Sequence, residues 1–288
     1  MNRRELLKGA LGLCASRRIL SAQQALADHL TLRVLGGANV LSFSSDEALV
    51  LVDSGPPNTL KSVAAASKVT LFNTHYHLDQ TGNNELYTAA GAKIIAHERT
   101  RQWMSSDYWV PLEDRYRKAR PKAAWPTEVF LTRGSLKTGS EQIEYGYLPL
   151  AHTSGDVYVY FRNANVLAVG DVASPERDPS LDYYTGAWIG GRVDAMDALL
   201  KVANDQTKIV PAYGPVMTRS GLKAERDLME EVRARLFKTV REGKGPEEMS
   251  EEGILNGLPR TWKDPKKFLY DATKGLWAHH DKLDPNVV

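Results

Sequence analysis

Short apolar runs rich in β-branched residues alternate with polar turns near the start of the chain. A Gly-Gly pair and a Ser-Ser-Asp turn separate these runs, as is typical of strands in an antiparallel meander. A further apolar run, from Val69 to Asn73, predicts a buried strand that leads into a histidine-rich segment. The first three predicted strands span residues 30–35, 39–43 and 48–52.

Helical and extended patterns follow one another over the rest of the chain. Helices are predicted at 58–67, 82–90, 97–105, 194–203 and 222–241. Strands are predicted at 93–96, 128–131, 142–149, 157–161, 165–169 and 208–210. The segment 106–126 is aromatic, charged and interrupted by proline, which predicts a long, partly helical excursion. Strands followed by helices, twice over, predict an α/β (α+β) domain of two packed sheets over 28–220, with a C-terminal helical extension over 221–288.

The first 27 residues differ from the rest, with a basic start, a weakly apolar middle and an Ala-Leu-Ala end. This order predicts an export signal that is cleaved after Ala27. The Arg3-Arg4 pair resembles the twin-arginine export pattern, which implies a periplasmic or secreted location. Arg17 and Arg18 interrupt the apolar run, and this favours the alternative of an amphipathic or disordered tail on a cytoplasmic protein.

Formal charge argues against a nucleic-acid partner. The whole chain carries +2, and the five Lys/Arg and one Glu of residues 1–27 contribute +4, so the remainder is about −2. A chain without an excess of basic residues has no electrostatic reason to bind phosphate backbones. The N-terminal apolar run is too short to span a membrane. The expected partner is a small-molecule substrate. The sequence does not indicate an oligomeric state.

Two histidines and an aspartate alternate directly after the strand that ends at Asn73. In an extended segment, side chains at every second position point the same way, so His75, His77 and Asp79 are expected to project together. His152 follows another apolar strand and precedes a Ser-Gly turn, and Asp171 ends a third strand. The single cysteine, Cys14, falls in the predicted signal, so a metal held by the rest of the chain needs nitrogen and oxygen ligands.

These motifs resemble those of metallo-β-lactamase-fold hydrolases. The segment His75-Tyr-His77-Leu-Asp79 matches the family's His-x-His-x-Asp, His152 matches its third histidine, and Asp171 matches its bridging carboxylate. The resemblance covers about residues 30–220 and implies a four-layer αβ/βα sandwich with a metal site along one edge. It also implies hydrolysis as the reaction, and support of the site by Asp53 from outside the ligand shell.

Two positions depart from the family pattern, and both belong to its second metal position. Gln80 stands where the family has a histidine after the aspartate, and Tyr213 stands where it has a histidine after a later strand. An amide oxygen and a phenol with a pKa near 10 are weak zinc ligands. We therefore expect one tightly bound zinc on His75, His77 and His152, and at most a weak second ion involving Gln80 and the two aspartates.

The expected reaction is attack by a zinc-bound hydroxide on a carbonyl of the lactam, lactone or ester class. Asp79 is the candidate that orients the water or takes its proton, and Asp171 either completes the zinc shell or holds the weak ion. Tyr213 is the candidate donor to the developing oxyanion. The alternative is a catalytically degraded relative that binds metal in a non-enzymatic role. Four aromatic residues are candidate walls of a substrate pocket: Trp103, Tyr183, Tyr184 and Trp188.

Overall fold

Two β-sheets stacked face to face form the centre of the computed structural model, which describes residues 23–63, 68–110 and 114–279. The strands are β1 Gln23–Ala27, β2 Leu30–Leu35, β3 Ala38–Ser44, β4 Leu49–Val52, β5 Val69–Phe72, β6 Lys93–His97, β7 Tyr108–Val110, β8 Arg115–Arg117, β9 Glu128–Phe130, β10 Arg133–Thr138, β11 Glu141–Tyr147, β12 Val157–Phe161, β13 Val166–Gly170 and β14 Lys208–Pro211. The first sheet has the order β1-β2-β3-β4-β5-β6-β9, and the second has the order β10-β11-β12-β13-β14. Strands β7 and β8 form a separate antiparallel hairpin.

The strands near the middle of the first sheet are buried on both faces, which explains their nearly continuous apolar sequences. Val50 and Val52 on β4 point into the space between the sheets, while Leu51 lies on the opposite, outer face. Phe161 and Val166 from the second sheet fill the same space between the sheets. The alternation of inward and outward side chains therefore builds two apolar layers from one strand.

Helices cover the outer faces of both sheets, so the fold is the expected αβ/βα sandwich. The outer face of the second sheet packs against α4, α5 and α7 in one apolar core. Tyr87 of α2 packs on the outer face of the first sheet. The helices are α1 Leu78–Thr81, α2 Asn84–Ala89, α3 Glu98–Ser105, α4 Ile189–Val202, α5 Arg219–Arg241, α6 Pro246–Glu251 and α7 Pro265–Ala278.

The proposed boundary at residue 220 falls inside α5, which packs in the same core as α4. The division of the chain into 28–220 and 221–288 stays a prediction. Within the described residues, no helix is long and apolar enough to cross a membrane.

Several predicted elements differ from the structure. The described part of the predicted helix 58–67, residues 58–63, forms turns and bends, and the predicted helix 82–90 is interrupted and begins earlier, as α1 and α2. In its described residues, 106–110 and 114–126, the excursion contains the paired strands β7 and β8 and a 3-10 turn at Lys122–Ala124. Strand β10 was not predicted, because its alternation of arginine, glycine, serine and lysine lacks a continuous apolar side.

The N-terminal segment bears on the predicted export signal. Residues 1–22, which include Arg3 and Arg4, lie outside the described residues. Residues Gln23–Ala27 form β1 at the edge of the first sheet, where Leu26 is buried. Cleavage after Ala27 would therefore remove a strand from the sheet, and the export signal itself stays a prediction.

Candidate metal centre

Three histidines from two loops meet at one edge of the sandwich. His75 and His77 follow the fully buried strand β5, and His152 lies in the loop between β11 and β12. One ring nitrogen from each histidine lies within 4.8 Å of the others. The structure thus brings together the three imidazoles that the sequence indicated as metal ligands.

His75 is fully buried, and two consecutive hydrogen bonds fix its ring on the side away from the other histidines. The Oγ1 of Thr74 lies 3.1 Å from Nδ1 of His75 and donates to Oδ2 of Asp53 at 2.8 Å. Because that hydroxyl proton is used on Asp53, the Thr74 oxygen accepts from the ring, which places the proton of His75 on Nδ1. Nε2 of His75 is left as a buried lone pair with no hydrogen-bond partner among the described residues.

Asp53 is therefore connected to His75 through Thr74, and its supporting role in the site stays a prediction. Its carboxylate also accepts from the Thr74 backbone N–H at 2.8 Å. Burial raises the pKa of Asp53 to about 8, against the lowering effect of the Thr74 hydrogen bonds. Gly170 makes room for this arrangement, because a Cβ at this position, where φ is +57°, would lie 2.9 Å from the Thr74 side chain.

His77 is oriented by Asp182, a residue that the sequence did not single out. Nε2 of His77 lies 2.7 Å from Oδ2 of Asp182, so the ring donates from Nε2 and presents a bare Nδ1 to the centre. The hydroxyl of Tyr76 donates to the same carboxylate oxygen at 2.6 Å. The residue between the two histidines thus helps to hold the carboxylate that fixes the second one.

His152 is fixed through both its ring and its backbone. Nδ1 lies 2.8 Å from the carbonyl oxygen of Ser180, which leaves Nε2 as the bare nitrogen. The buried carboxylate of Asp156 accepts from the backbone N–H groups of His152 and Thr153 at 2.6 and 2.7 Å. The Asp156 side chain, four residues after His152, therefore closes the turn that contains Ser154 and Gly155.

The three rings present bare nitrogens toward one another, which is the arrangement that a cation requires. Nδ1 of His77 and Nε2 of His152 are 3.1 Å apart. The N–H groups of both rings point away from each other, because they donate to Asp182 and to the Ser180 carbonyl. Two lone pairs at this distance need a proton or a metal ion between them. Tetrahedral zinc with Zn–N bonds of about 2.0–2.1 Å holds its nitrogens roughly 3.3 Å apart. The residues present therefore fit a zinc ion.

Protonation follows from the same contacts. Burial, together with the two neighbouring rings, lowers the pKa of His75 well below its usual value, so this ring is neutral. Burial also lowers the pKa of His77, but the charge and hydrogen bond of Asp182 outweigh it and raise the value to about 9. Burial raises the pKa of Asp182, while His77 lowers it to about 2.

Asp171 lies beside the three imidazoles at the end of β13. Its Oδ2 is 3.6 Å from Nε2 of His75 and 3.8 Å from Nε2 of His152. Burial raises the pKa of Asp171. The fully buried Arg192 donates from Nη1 to the Asp171 carbonyl oxygen at 2.8 Å, and this fixes the backbone of the loop that carries the carboxylate.

Asp79 does not continue the extended segment, contrary to the alternation argument. His77 is extended, with φ −58° and ψ 147°, but it caps α1, and Asp79 sits in the first turn of that helix. The helix directs the carboxylate to Tyr213, whose hydroxyl donates to Oδ2 of Asp79. This proton is thus engaged on a carboxylate, and the expectation that Tyr213 donates it to an oxyanion is not supported by its contact here.

Tyr213 is held as a neutral phenol in this arrangement. Burial and the Asp79 hydrogen bond raise the pKa of Tyr213, and the guanidinium of Arg177 lies 3.1 Å from the centre of its ring. Gln80 is fully buried, and neither atom of its amide has a partner among the described residues. Whether Gln80 binds a metal stays a prediction.

A cleft of about 430 Å³ opens beside His77 and Asp79. Trp103 and Tyr184 line it, together with Tyr76 and Tyr108, whereas Tyr183 and Trp188 do not. Trp188 is a core residue, and Gly190 accommodates its ring, since a Cβ there would lie 2.2 Å from the indole. Tyr183 instead packs against Tyr270 at a centroid distance of 6.1 Å.

Asp182, Thr74, Ser180 and Asp156 complete the site, and sequence reasoning missed all four. The serine contributes only its carbonyl group, which no side-chain pattern reveals. Asp182 lies 105 positions from His77 along the chain, so no spacing rule connects them. Asp156, which ends the His-Thr-Ser-Gly-Asp segment, carried the only local signal of the four.

Comparisons with known proteins identify the family and the fold. The sequence profile described as the metallo-beta-lactamase superfamily matches residues 34–214. The metallo-beta-lactamase IND-1 of Chryseobacterium indologenes is 24% identical over 197 residues, which cover 64% of this chain and 77% of that protein. A metallo-beta-lactamase from Pontibacter korlensis superposes with a TM-score of 0.57 and 20% identity, over 73% of this chain and 99% of its own.

A second type of structure superposes over more of the chain. The stereoselective inverting sec-alkylsulfatase Pisa1 from Pseudomonas sp. has a TM-score of 0.61 at 14% identity, and the match covers 91% of this chain and 50% of that protein. At these identities the structural matches establish the fold, while the profile covers more than half of the sequence. The chain belongs to the metallo-β-lactamase superfamily.

Proposed function

We propose that this protein is a zinc-dependent hydrolase that cleaves a carbonyl compound of the lactam, lactone or ester class. The observation that carries the proposal is the convergence of three bare imidazole nitrogens, each with its proton fixed on the outer side, next to an open cleft. Members of the superfamily are metal-dependent hydrolases, which supports the same reaction class.

His75, His77 and His152 would hold the ion, and Asp171 lies close enough to support it from the side. Zinc bound by three nitrogens supplies a nucleophilic hydroxide near neutral pH and polarises a carbonyl. Asp79 lies on the cleft side of the site, where its carboxylate can orient a water molecule or take its proton. Tyr213 holds that carboxylate in place by donating a hydrogen bond to its Oδ2.

We propose that one zinc ion binds tightly. The oxygen-rich side of the site consists of Asp79, which is engaged by Tyr213, and of the neutral amide of Gln80. A neutral phenol and an amide give a second zinc little charge to bind. A second ion is expected to bind weakly and to leave during purification.

The test is metal quantification of the purified protein together with a hydrolysis panel of β-lactams, lactones and aryl esters. We expect about one zinc per chain and hydrolysis that is lost on chelation and restored by zinc. Tight zinc binding without hydrolysis of any member of the panel would support the non-enzymatic alternative. Hydrolysis that survives complete removal of metal would contradict the proposal.

A periplasmic or secreted location is a proposal that rests on the sequence of the first 27 residues. Because β1 is part of the first sheet, we propose that any signal is removed before Gln23. The N-terminal sequence of the protein recovered from the periplasm tests this, and a start at Asp28 would contradict it.

A further inference from the structure

Two chemically different sets of side chains line the cleft beside the metal centre. Aromatic side chains form one wall: Tyr76, Trp103, Tyr108 and Tyr184. Cationic side chains line the cleft as well: Arg117, Lys118 and Arg120. One of them, Arg117, is the cross-strand partner of Tyr108. Among the described residues that line the cleft, Asp79 is the one acidic side chain, and it lies next to His77.

The aromatic wall is held rigidly by contacts to the metal-supporting residues. The indole N–H of Trp103 donates to Oγ of Ser154 at 2.8 Å, two residues after His152. The Tyr76 ring stacks on Trp103 with a centroid distance of 5.8 Å, and its hydroxyl donates to Asp182. Fixed aromatic faces favour a flat, apolar body that can stack on them or meet their edges.

Arg120 is the cation best placed to bind an anion inside the cleft. Its guanidinium is half-buried and donates from Nη1 and Nη2 to the hydroxyl and carbonyl oxygens of Thr81, at 3.1 and 3.4 Å. Thr81 ends α1, the helix that begins after His77. The guanidinium is therefore positioned directly against the metal-binding segment.

The remaining donors of Arg120 have no partner among the described residues, and it forms no ion pair with a described carboxylate. Its backbone is also fixed, since its N–H donates to the Met104 carbonyl and its carbonyl accepts from the Trp125 indole, both at 2.8 Å. The carboxylate of Glu85 acts on Arg120 electrostatically without forming an ion pair among the described residues. A half-buried guanidinium whose hydrogen bonds go to neutral groups keeps donors for an anionic ligand.

Arg117 and Lys118 add positive charge at the rim of the cleft. Lys118 pairs with Asp107 at 2.6 Å, but its side chain is 82% exposed, so this pair is weak and exchangeable. We propose that the substrate carries a carboxylate, bound at Arg120, on a planar apolar body that packs against the aromatic wall. This inference rests on the proposed hydrolase and names its substrate class.

The first test measures binding separately from turnover. Calorimetry on the zinc-loaded protein compares 4-hydroxybenzoate with its methyl ester, which has the same ring but no carboxylate. We expect the acid to bind at least about tenfold more tightly, as for a hydrogen-bonded charge pair. Arg120→Gln should abolish the preference and Arg120→Lys should restore part of it, whereas Lys137→Gln/Lys201→Gln removes two exposed distant charges and should leave it unchanged.

If Arg120→Gln fails to fold because Thr81 loses its partner, the same preference for the acid is measured in Arg117→Gln/Lys118→Gln. This double variant should lower the preference several-fold, by reducing the positive potential at the rim. Equal affinity for the acid and its methyl ester in the unaltered protein would overturn the inference. So would a preference that survives Arg120→Gln or, failing that, the rim variant.

The second test measures hydrolysis of 4-acetoxybenzoate and methyl 4-acetoxybenzoate. The acid should show the higher kcat/KM, with the difference mainly in KM, and Arg120→Gln should equalise the two esters. A binding preference without hydrolysis of either ester or of any compound in the wider panel would sink the proposed reaction and leave the anion site standing. Hydrolysis of both esters with equal kcat/KM would sink the anion site and leave the reaction standing.

Discussion

The two sides of the metal centre are built from different contacts. On one side, each of three imidazoles donates a hydrogen bond from one ring N–H to a partner outside the centre: Thr74, Asp182 and the Ser180 carbonyl. On the other side, Asp79 accepts from Tyr213, and Gln80 is buried without a partner for its amide. The first side exposes lone pairs to a cation, while the second side satisfies its carboxylate internally.

Under the proposed function, this difference explains why one metal position is kept while a second ion binds weakly. A ligand and its outer partner act together, because the partner sets the tautomer and orientation of the ring. All three such pairs are present around the histidines. Replacement of two imidazoles by Gln80 and Tyr213 affects the other side, where the phenol now ties up the carboxylate that a second ion would need.

The largest effect is expected when a ring is removed from the histidine side. His152→Ala should weaken zinc binding by about a thousandfold, a loss near 4 kcal/mol of the roughly 10–16 kcal/mol that compact zinc sites provide. Hydrolysis should fall in parallel. Zinc titration against a competing chelator measures the change. His29→Asn is the matched control, since His29 is exposed and its φ of 62° suits asparagine.

A smaller loss is expected when an outer partner is removed while all three rings stay. Asp182→Asn should weaken zinc binding about 10–100-fold, because His77 loses the carboxylate that orients its ring. Tyr76→Phe removes the other donor to the same oxygen and should cost less. Asp194→Asn, at an exposed position of α4, should change nothing. An unchanged affinity in Asp182→Asn would show that this contact does not organise the site.

The oxygen-rich side can be converted toward the histidine side. In Gln80→His/Tyr213→His, Asp79 is released and two imidazoles are added, so a second zinc should bind at least about tenfold more tightly than in the unaltered chain. Metal content after gel filtration should rise from one zinc per chain toward two. If activity appears only in this double variant, the unaltered chain is the degraded relative; if activity falls, its site is specialised.

The smallest effect is expected from Tyr213→Phe, which removes one hydrogen bond and no metal ligand. The kcat/KM should fall roughly fivefold, as expected for about 1 kcal/mol of lost positioning of Asp79, at unchanged zinc content. Steady-state kinetics with parallel metal analysis measure both quantities. Tyr116→Phe, at a side chain that is 65% exposed, is the control. A loss of zinc in Tyr213→Phe would instead make the phenol part of the metal shell.

Sequence reasoning located the histidine side because its signal is local. His75 and His77 alternate at the end of β5 in the first sheet, and His152 follows β11 in the second sheet, so the stacking of the two sheets brings them to one edge. The same reasoning placed Asp79 on an extended segment, whereas a helix starts immediately after His77 and turns the carboxylate toward Tyr213. Local alternation cannot show where a helix interrupts it.

Features that depend on distant contacts were not accessible from the sequence. Asp182 reaches His77 only after the loop that follows β13 folds back over the site. Trp188 lies in a glycine-rich loop that suggested a pocket, but the glycines make room for its ring in the core. The cationic residues of the cleft come from β8 and the segment after it, residues 115–120, which belong to the excursion 106–126 that was predicted to be partly helical.

The most direct test of the central claim is the zinc stoichiometry of the unaltered protein after extensive dialysis against metal-free buffer. This account predicts one zinc per chain, held by the three imidazoles and lost in His152→Ala. Two ions that both survive dialysis, or one ion that persists in His152→Ala, would contradict it.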